Sequence, residues 1–230
     1  MTTRGLVVGL LAASMLLSGC VATVSGTAVR DGHAVPTNVP PLDEAALKRV
    51  LLSIDEVNAI MGTKNLEVTS EIDDMTDSSN KVSDPDCLGA MFGAEEKVYD
   101  GSGWTAVHDW VAREPEEDNE HWVEQTTVLY PDADHAKKFF AKSKSAWQKC
   151  AGTSLAVDDS DSSSLWEIGD LTAQDALLMQ TATQQDVEGW GCQHALSVVS
   201  NMTVETWACA YSPGQEAATM AIDIATNAAK

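Results

Sequence analysis

Trp190-Gly-Cys-Gln-His-Ala-Leu-Ser-Val-Val199, Ser200-Asn201, Met202-Thr-Val-Glu-Thr-Trp-Ala-Cys-Ala-Tyr211 is the stretch that decides the fold. Two strand-like runs flank a polar dipeptide, the pattern of a β-hairpin. With Ser200 and Asn201 as the turn, Val199 faces Met202, and the count back along both strands sets Cys192 opposite Cys209. That position is a non-hydrogen-bonded pair, where Cα atoms stand roughly 4.5–5.5 Å apart, within disulfide reach. Turn and cysteines thus agree on one register.

The N-terminus sets the expected location. Arg4 opens a short positive segment, and Gly5 to Leu17 is apolar, too short for a dependable membrane span and right for a signal-peptide core. Leu17-Ser-Gly-Cys20 then looks like a bacterial lipobox, in which Cys20 is acylated and becomes the first residue of the mature chain. The plainer alternative is a secretory signal with an incidental cysteine. Two acyl chains suffice for stable attachment where one is marginal. Residues 1–19 are read as a lipoprotein signal peptide. Residues 20–41 are read as the lipidated cysteine and a flexible tether, Thr-, Val-, Gly- and Pro-rich and without period. Fully extended, such a tether reaches roughly 70 Å. Residues 42–230 form the domain. The expected address is the cell membrane, lipid-anchored and facing the extracytoplasmic space.

Removing residues 1–19 takes away Arg4 and leaves 13 basic against 35 acidic side chains, a balance of −22. A surface so acidic repels nucleic acid and anionic headgroups, so neither is expected as a direct ligand of the domain. Its apolar content and seven tryptophans argue against disorder.

Four cysteines remain beside Cys20: Cys87, Cys150, Cys192 and Cys209. An exported compartment and an even count imply two disulfides. The hairpin assigns Cys192–Cys209 and leaves Cys87–Cys150. A zinc site is not expected, because there is no CxxC pair and no cluster of histidines.

Along the domain, Leu42 to Leu52 has helical spacing with acids early and bases late. Ser53-Ile-Asp-Glu56 is a capping box that starts a second helix, and Gly62 ends it. Leu66 to Ile72, Trp104 to Arg113 and Trp122 to Tyr130 read as strands. Asp84-Pro-Asp-Cys87 starts a short helix. Asp132 caps an amphipathic helix running to Cys150, with a lysine-rich outer side. Leu165 to Ile168 and Ala176 to Gln184 are strands, and Ser212-Pro-Gly-Gln215 reads as the cap of a last helix. The expected fold is α+β: a mainly antiparallel β-sheet, with helices packed on one face.

The spacing of Asp-Cys87, Trp-x-x-Cys150, Gly-Trp190-x-Cys192 and Ala-Cys209 before a terminal helix resembles the PknH-like extracellular domain family of mycobacteria and their relatives. In that family the domain is the outer sensor part of a serine/threonine kinase or a free-standing lipoprotein. The resemblance implies an α+β fold with two internal disulfides and a cleft for a ligand. Only the four cysteines carry over residue by residue.

No hydrolase frame is present: Gly101-Ser102-Gly103 lacks the G-x-S-x-G order. No enzyme activity and no cofactor are expected. Two acidic runs, Glu114 to Glu120 and Asp158 to Asp161, lack the order of a calcium loop. Alternation puts Trp190, His194 and Trp207 on the disulfide side of the hairpin, and Trp104, His108 and Trp110 on one side of their strand. Together they are the candidate walls of an aromatic, histidine-bearing pocket for an apolar or sugar-like ligand. The plainer alternative has the tryptophans shielding the disulfide. The expected function is that of a lipid-anchored sensor or accessory domain binding a small ligand in a cleft. The alternative is a module that docks on another envelope protein without a small ligand.

Overall fold

The computed structural model describes residues 34–115, 120–159 and 162–230. The signal segment, Cys20 and most of the tether lie outside the described residues, as do the centre of the first acidic run and the end of the second.

The hairpin forms in the expected register. β8 (Trp190–Val199) pairs with β9 (Met202–Tyr211), with Val199 opposite Met202 and Cys192 opposite Cys209. Ser200 takes a left-handed conformation at φ 53° to turn the chain. Asn201 then ties the turn to its surroundings. Its carboxamide accepts from Leu42 N at 2.7 Å and donates to Leu42 O and Tyr130 O.

Seven further strands extend the ladder: β1 (Glu67–Ile72), β2 (Ala106–Arg113), β3 (Trp122–Leu129), β4 (Ser154–Asp158), β5 (Ser163–Ile168), β6 (Thr172–Ala173) and β7 (Leu177–Gln184). The order is β1-β2-β3-β9-β8-β7-β5-β4, with β6 beside β7, and every ladder is antiparallel. The hairpin is therefore central, and its two strands are buried along nearly their whole length.

Among the described residues, six α-helices flank the sheet. α1 (Glu44–Val50) is capped by Asp43, whose carboxylate accepts from Ala46 N. α2 (Ile54–Met61) has the full Ser53/Glu56 capping box and ends at Gly62, which takes φ 72°. These two and α6 (Glu216–Asn227) pack on one face with Ala195, Val199, Met202 and Val204. A 3₁₀ turn (Pro85–Cys87), α3 (Leu88–Met91), α4 (Glu96–Tyr99) and α5 (Ala133–Cys150) pack on the other with Leu178, Leu196 and Val198.

The expectation of helices on one face is thus corrected: both faces are covered. The second face hides because it carries Gln193, Ser197 and Thr206, which read as solvent-facing. All three are buried and spend their polar atoms on α6. Gln193 Oε1 accepts from Ala218 N at 3.0 Å, Thr206 Oγ1 donates to Ala217 O at 2.8 Å, and Ser197 Oγ donates to Ala221 O at 3.4 Å. Buried polar groups satisfied in this way are not destabilising. They also correct the expected Ser212 cap. α6 begins at Glu216, and its first turn is served by Gln193 from the sheet.

The last part of the segment read as tether packs on the domain. Pro36 is buried, Val35 and Val39 pack on the α1–α2–α6 core, and Ser200 Oγ donates to Pro40 O at 3.0 Å. Residues 34–41 are part of the folded unit. Two disulfides close the structure: Cys192–Cys209 with Cα atoms 3.9 Å apart, closer than a typical pair, and Cys87–Cys150 at 5.7 Å.

Candidate binding cleft

The site grows from strand alternation. On β2, Asp109 and Val111 share one side; on β3, Trp122, Glu124 and Thr126 do. The β2–β3 ladder sets Asp109 opposite Thr126, and the β3–β9 ladder sets Glu124 opposite Trp207 and Trp122 opposite Cys209. Asp109, Val111, Trp122, Glu124 and Trp207 floor a cleft of about 530 Å³, on the α5 side of the sheet, with Thr126 buried beside the two acids. Trp166 from β5 and the Cys192–Cys209 disulfide close it on one side, and the segments around Thr76 and Phe92–Gly93 form its rim. The volume lies within the usual range for small-molecule sites.

The charge of the lining has one sign. Glu95, Asp109, Glu124 and Asp159 contribute carboxyls, and among the described residues no lysine, arginine or histidine lines the cleft. Glu95 is committed to the rim: it accepts from Ser78 N at 2.7 Å and from Thr76 Oγ1 at 3.2 Å. Asp109 and Glu124 are different. Thr126 Oγ1 donates to Asp109 Oδ1 at 2.6 Å and lies 3.4 Å from Glu124 Oε1. The two acids thus flank the same hydroxyl. Burial, with the neighbouring Asp109 and Glu205 carboxyls adding to it, holds Glu124 well above the usual carboxylate range. Burial also raises Asp109. Two acids this close and this dry do not both ionise easily.

Glycine matters at one point of the rim. A Cβ on Gly93 would stand 2.6 Å from Glu124 Oε1, so any larger residue there would have to displace that carboxyl. The next residue, Ala94, has a left-handed φ of 49° and is held by its amide donating to Glu205 Oε2 at 3.3 Å. Glu205 also accepts from Tyr99 Oη at 2.9 Å and pairs with His194 Nε2 at 2.8 Å. It fixes the rim from below.

Of the six aromatic and histidine residues singled out in the sequence, the cleft contains Trp207 alone. His194 is 1 % exposed, enclosed between Trp147 at 4.1 Å and Trp207 at 3.9 Å. Trp190 packs on the disulfide and on Tyr211, outside the cleft. His108 and Trp110 are on the opposite side of the sheet. Trp110 packs in the α1–α2–α6 core, and His108 bonds Asp73 at 2.7 Å beside Lys48. Trp104 precedes β2 and packs on the α5 side. One pocket built from both sets is therefore corrected. The ladders run Trp110, Gln125, Thr206, Ala195, which carries Trp110 to the face that Trp207 does not share.

The cleft residues missed in the sequence are Asp109, Glu124, Trp122 and Trp166. A signal existed: Asp109 sits between Val107 and Val111 at i±2, a charge flanked by apolar residues on its strand face. Glu114, in the first acidic run, is used locally and accepts from Glu120 N and His121 N. Among the described residues, no group of three metal-ligating side chains is assembled.

A disulfide-bonded α+β domain with a ligand-sized cleft on one sheet face defines the class. Residues 42–230 match the PknH-like extracellular domain family, and the chain belongs to that family. It is 36% identical over 184 residues to the serine/threonine-protein kinase PknH of Mycobacterium bovis, covering 80% of this chain and 31% of the relative. The Mycobacterium tuberculosis PknH matches at the same identity, with 29% of its length covered. The chain thus spans about a third of the length of these relatives. The crystal structure of the extracellular domain of Mycobacterium tuberculosis PknH superposes with a TM-score of 0.79 at 34% identity, covering 83% of this chain and 98% of that one. The likeness falls on the extracellular domain and not on the kinase domain. Among the described residues, no helix is long and apolar enough to cross a membrane.

Proposed function

We propose that this chain is a cell-envelope lipoprotein, anchored through Cys20, whose extracytoplasmic domain senses a small ligand held in the Asp109–Glu124–Trp207 cleft. The cleft carries the reading. A domain built only to dock on another protein has no use for two acids kept dry beside a 530 Å³ space, at the cost of stability. Membership of an extracellular domain family of kinases supports the sensor role. A partner protein of the envelope completes the reading, as the receiver of the bound state.

Native mass spectrometry of the protein purified from its own host tests the ligand. A reproducible co-purified mass, lost on substitution of Asp109 by Asn, is the expected result. Empty spectra from several preparations would return the decision to the docking alternative. For the anchor, the N-terminal peptide should carry acyl mass in the wild type and none in Cys20→Ala. An unmodified wild-type peptide overturns the anchor alone.

A further inference from the structure

The hydrogen-bonding needs of the cleft are of two opposite kinds. Trp207 is 3 % exposed, its ring lines the cleft, and its indole N–H has no partner among the described residues. A buried donor left unpaired costs free energy that an incoming acceptor recovers. Beside it, Asp109 and Glu124 carry lone pairs served, among described side chains other than each other, by Thr126. They ask for donors. Glu124 and Trp207 are direct cross-strand neighbours that both line the cleft, which puts the two opposite demands side by side.

Three classes of small ligand can be compared on that basis. A phosphate or carboxylate accepts from Trp207 but meets four carboxyls in the lining and no cation. An amine donates to the acids and leaves the indole N–H unpaired. A hydroxyl donates to one and accepts from the other. The lining adds to this: Trp122, Trp166 and Trp207, with Phe92 and Val111, supply apolar surface beside the carboxyls, which suits a ligand with hydroxyl edges and C–H faces. The protonated state favoured for Glu124 by burial lowers the charge of the floor, so a ligand need bring no positive charge.

We propose that the cleft takes a neutral saccharide, with a ring hydroxyl bridging the Trp207 indole N–H and the Glu124 carboxyl, and a sugar face on Trp166. This rests on the cleft being a ligand site, as set out above, and adds the class of ligand. Asp109 then accepts from a second hydroxyl while Thr126 holds its other oxygen.

The test is titration of the full chain, followed by tryptophan fluorescence and ligand-observed NMR. The neutral probes are maltotriose, cellotriose, chitotriose and trehalose; spermidine is the amine, and glucuronate and glucose 6-phosphate are the anions. The expected result is saturable binding of at least one neutral saccharide and none of the anions. Trp207→Phe keeps a ring in place and should weaken that binding about tenfold, the worth of one buried hydrogen bond. Trp166→Ala, at a partly exposed position, should weaken it at least as much while leaving the near-UV CD spectrum of a folded domain. Unchanged affinity in Trp207→Phe overturns the proposed contact. Binding of spermidine or an anion with all four saccharides silent overturns the saccharide class and leaves the cleft reading standing. Silence of every probe together with empty native spectra overturns both.

Discussion

His194 Nε2 lies 2.8 Å from Glu205 Oε1, diagonally across the central hairpin, and both residues are almost wholly buried. Burial outweighs the attraction of Glu205 and pushes the imidazole below its ordinary value, so the pair is a neutral histidine hydrogen-bonded to a carboxyl. Glu205 also receives Tyr99 Oη and Ala94 N. Replacing it with Leu strands all three donors and should cost roughly 3 kcal/mol or more. Glu205→Gln keeps an acceptor and should cost roughly 1 kcal/mol. Urea unfolding measures both. The Leu variant should also admit protease at the rim around Ala94, which Glu205 holds in place. Equal, small losses in the two variants would show that the triple contact contributes little.

The cleft acids give stability an unusual pH dependence. Glu124 and Asp109 are raised by burial, so the folded state holds protons that the unfolded chain releases. Their contribution is present below the unfolded values, near 4, and is lost as pH rises through the raised folded values. Glu124→Gln removes that loss and should raise Tm at pH 8 by a few degrees, about 1 kcal/mol. The gain should shrink on going to pH 5. His194 works in the other direction: its folded value is depressed, so its contribution is present above about 6.5 and is lost on acidification below that. Subtracting variant from wild type isolates the acid arm. A gain that is the same at pH 5 and pH 8 refutes the assignment.

The two disulfides should differ in worth. Cys87–Cys150 spans 63 residues and Cys192–Cys209 spans 17. Chain entropy assigns about 4 kcal/mol to the first and about 3 kcal/mol to the second. The double alanine variant at Cys87 and Cys150 should therefore melt lower than that at Cys192 and Cys209. Only the second removes atoms from the cleft, so only it should change ligand binding at a temperature where both variants are folded. Calorimetry with and without the ligand separates these effects.

A chain starting at residue 34 should be more stable than one starting at residue 42. The longer form keeps buried Pro36, the packing of Val35 and Val39, and the bond from Ser200 to Pro40 O. The difference should be about 2 kcal/mol, or roughly 4–8 °C in Tm. Identical melting of the two forms would mean that these eight residues only lie on the surface.

Most of the fold was legible because its signals are local. Ser200-Asn201 and the two hairpin cysteines fixed one register. Ser53 and Asp132 read as caps, and each accepts the backbone hydrogen bond its position predicts. What escaped was non-local or disguised. β4 is a five-residue edge strand whose pairing with β5 is not encoded in its own period. Gln193, Ser197 and Thr206 look exposed and are buried against a helix. The cleft depends on β3 lying beside β9, about 80 residues later in the chain, a pairing that no short window contains. Sequence reasoning found Trp207 from alternation, but it could not bring Glu124 to that residue's side. It joined His108 and Trp110 to the wrong layer for the same reason: alternation tells which residues share a side, not which side two distant strands have in common.

Asn201 and Ser200 grip Leu42 and Pro40, so the chain crosses the hairpin tip just before α1. The disulfide rung lies seven positions further down β8 from Val199, roughly 23 Å away. The cleft is lined at the Cys192 end of β8 and by no residue of the turn, so a load on residues 40–42 falls on the hairpin tip and not on the residues that line the cleft.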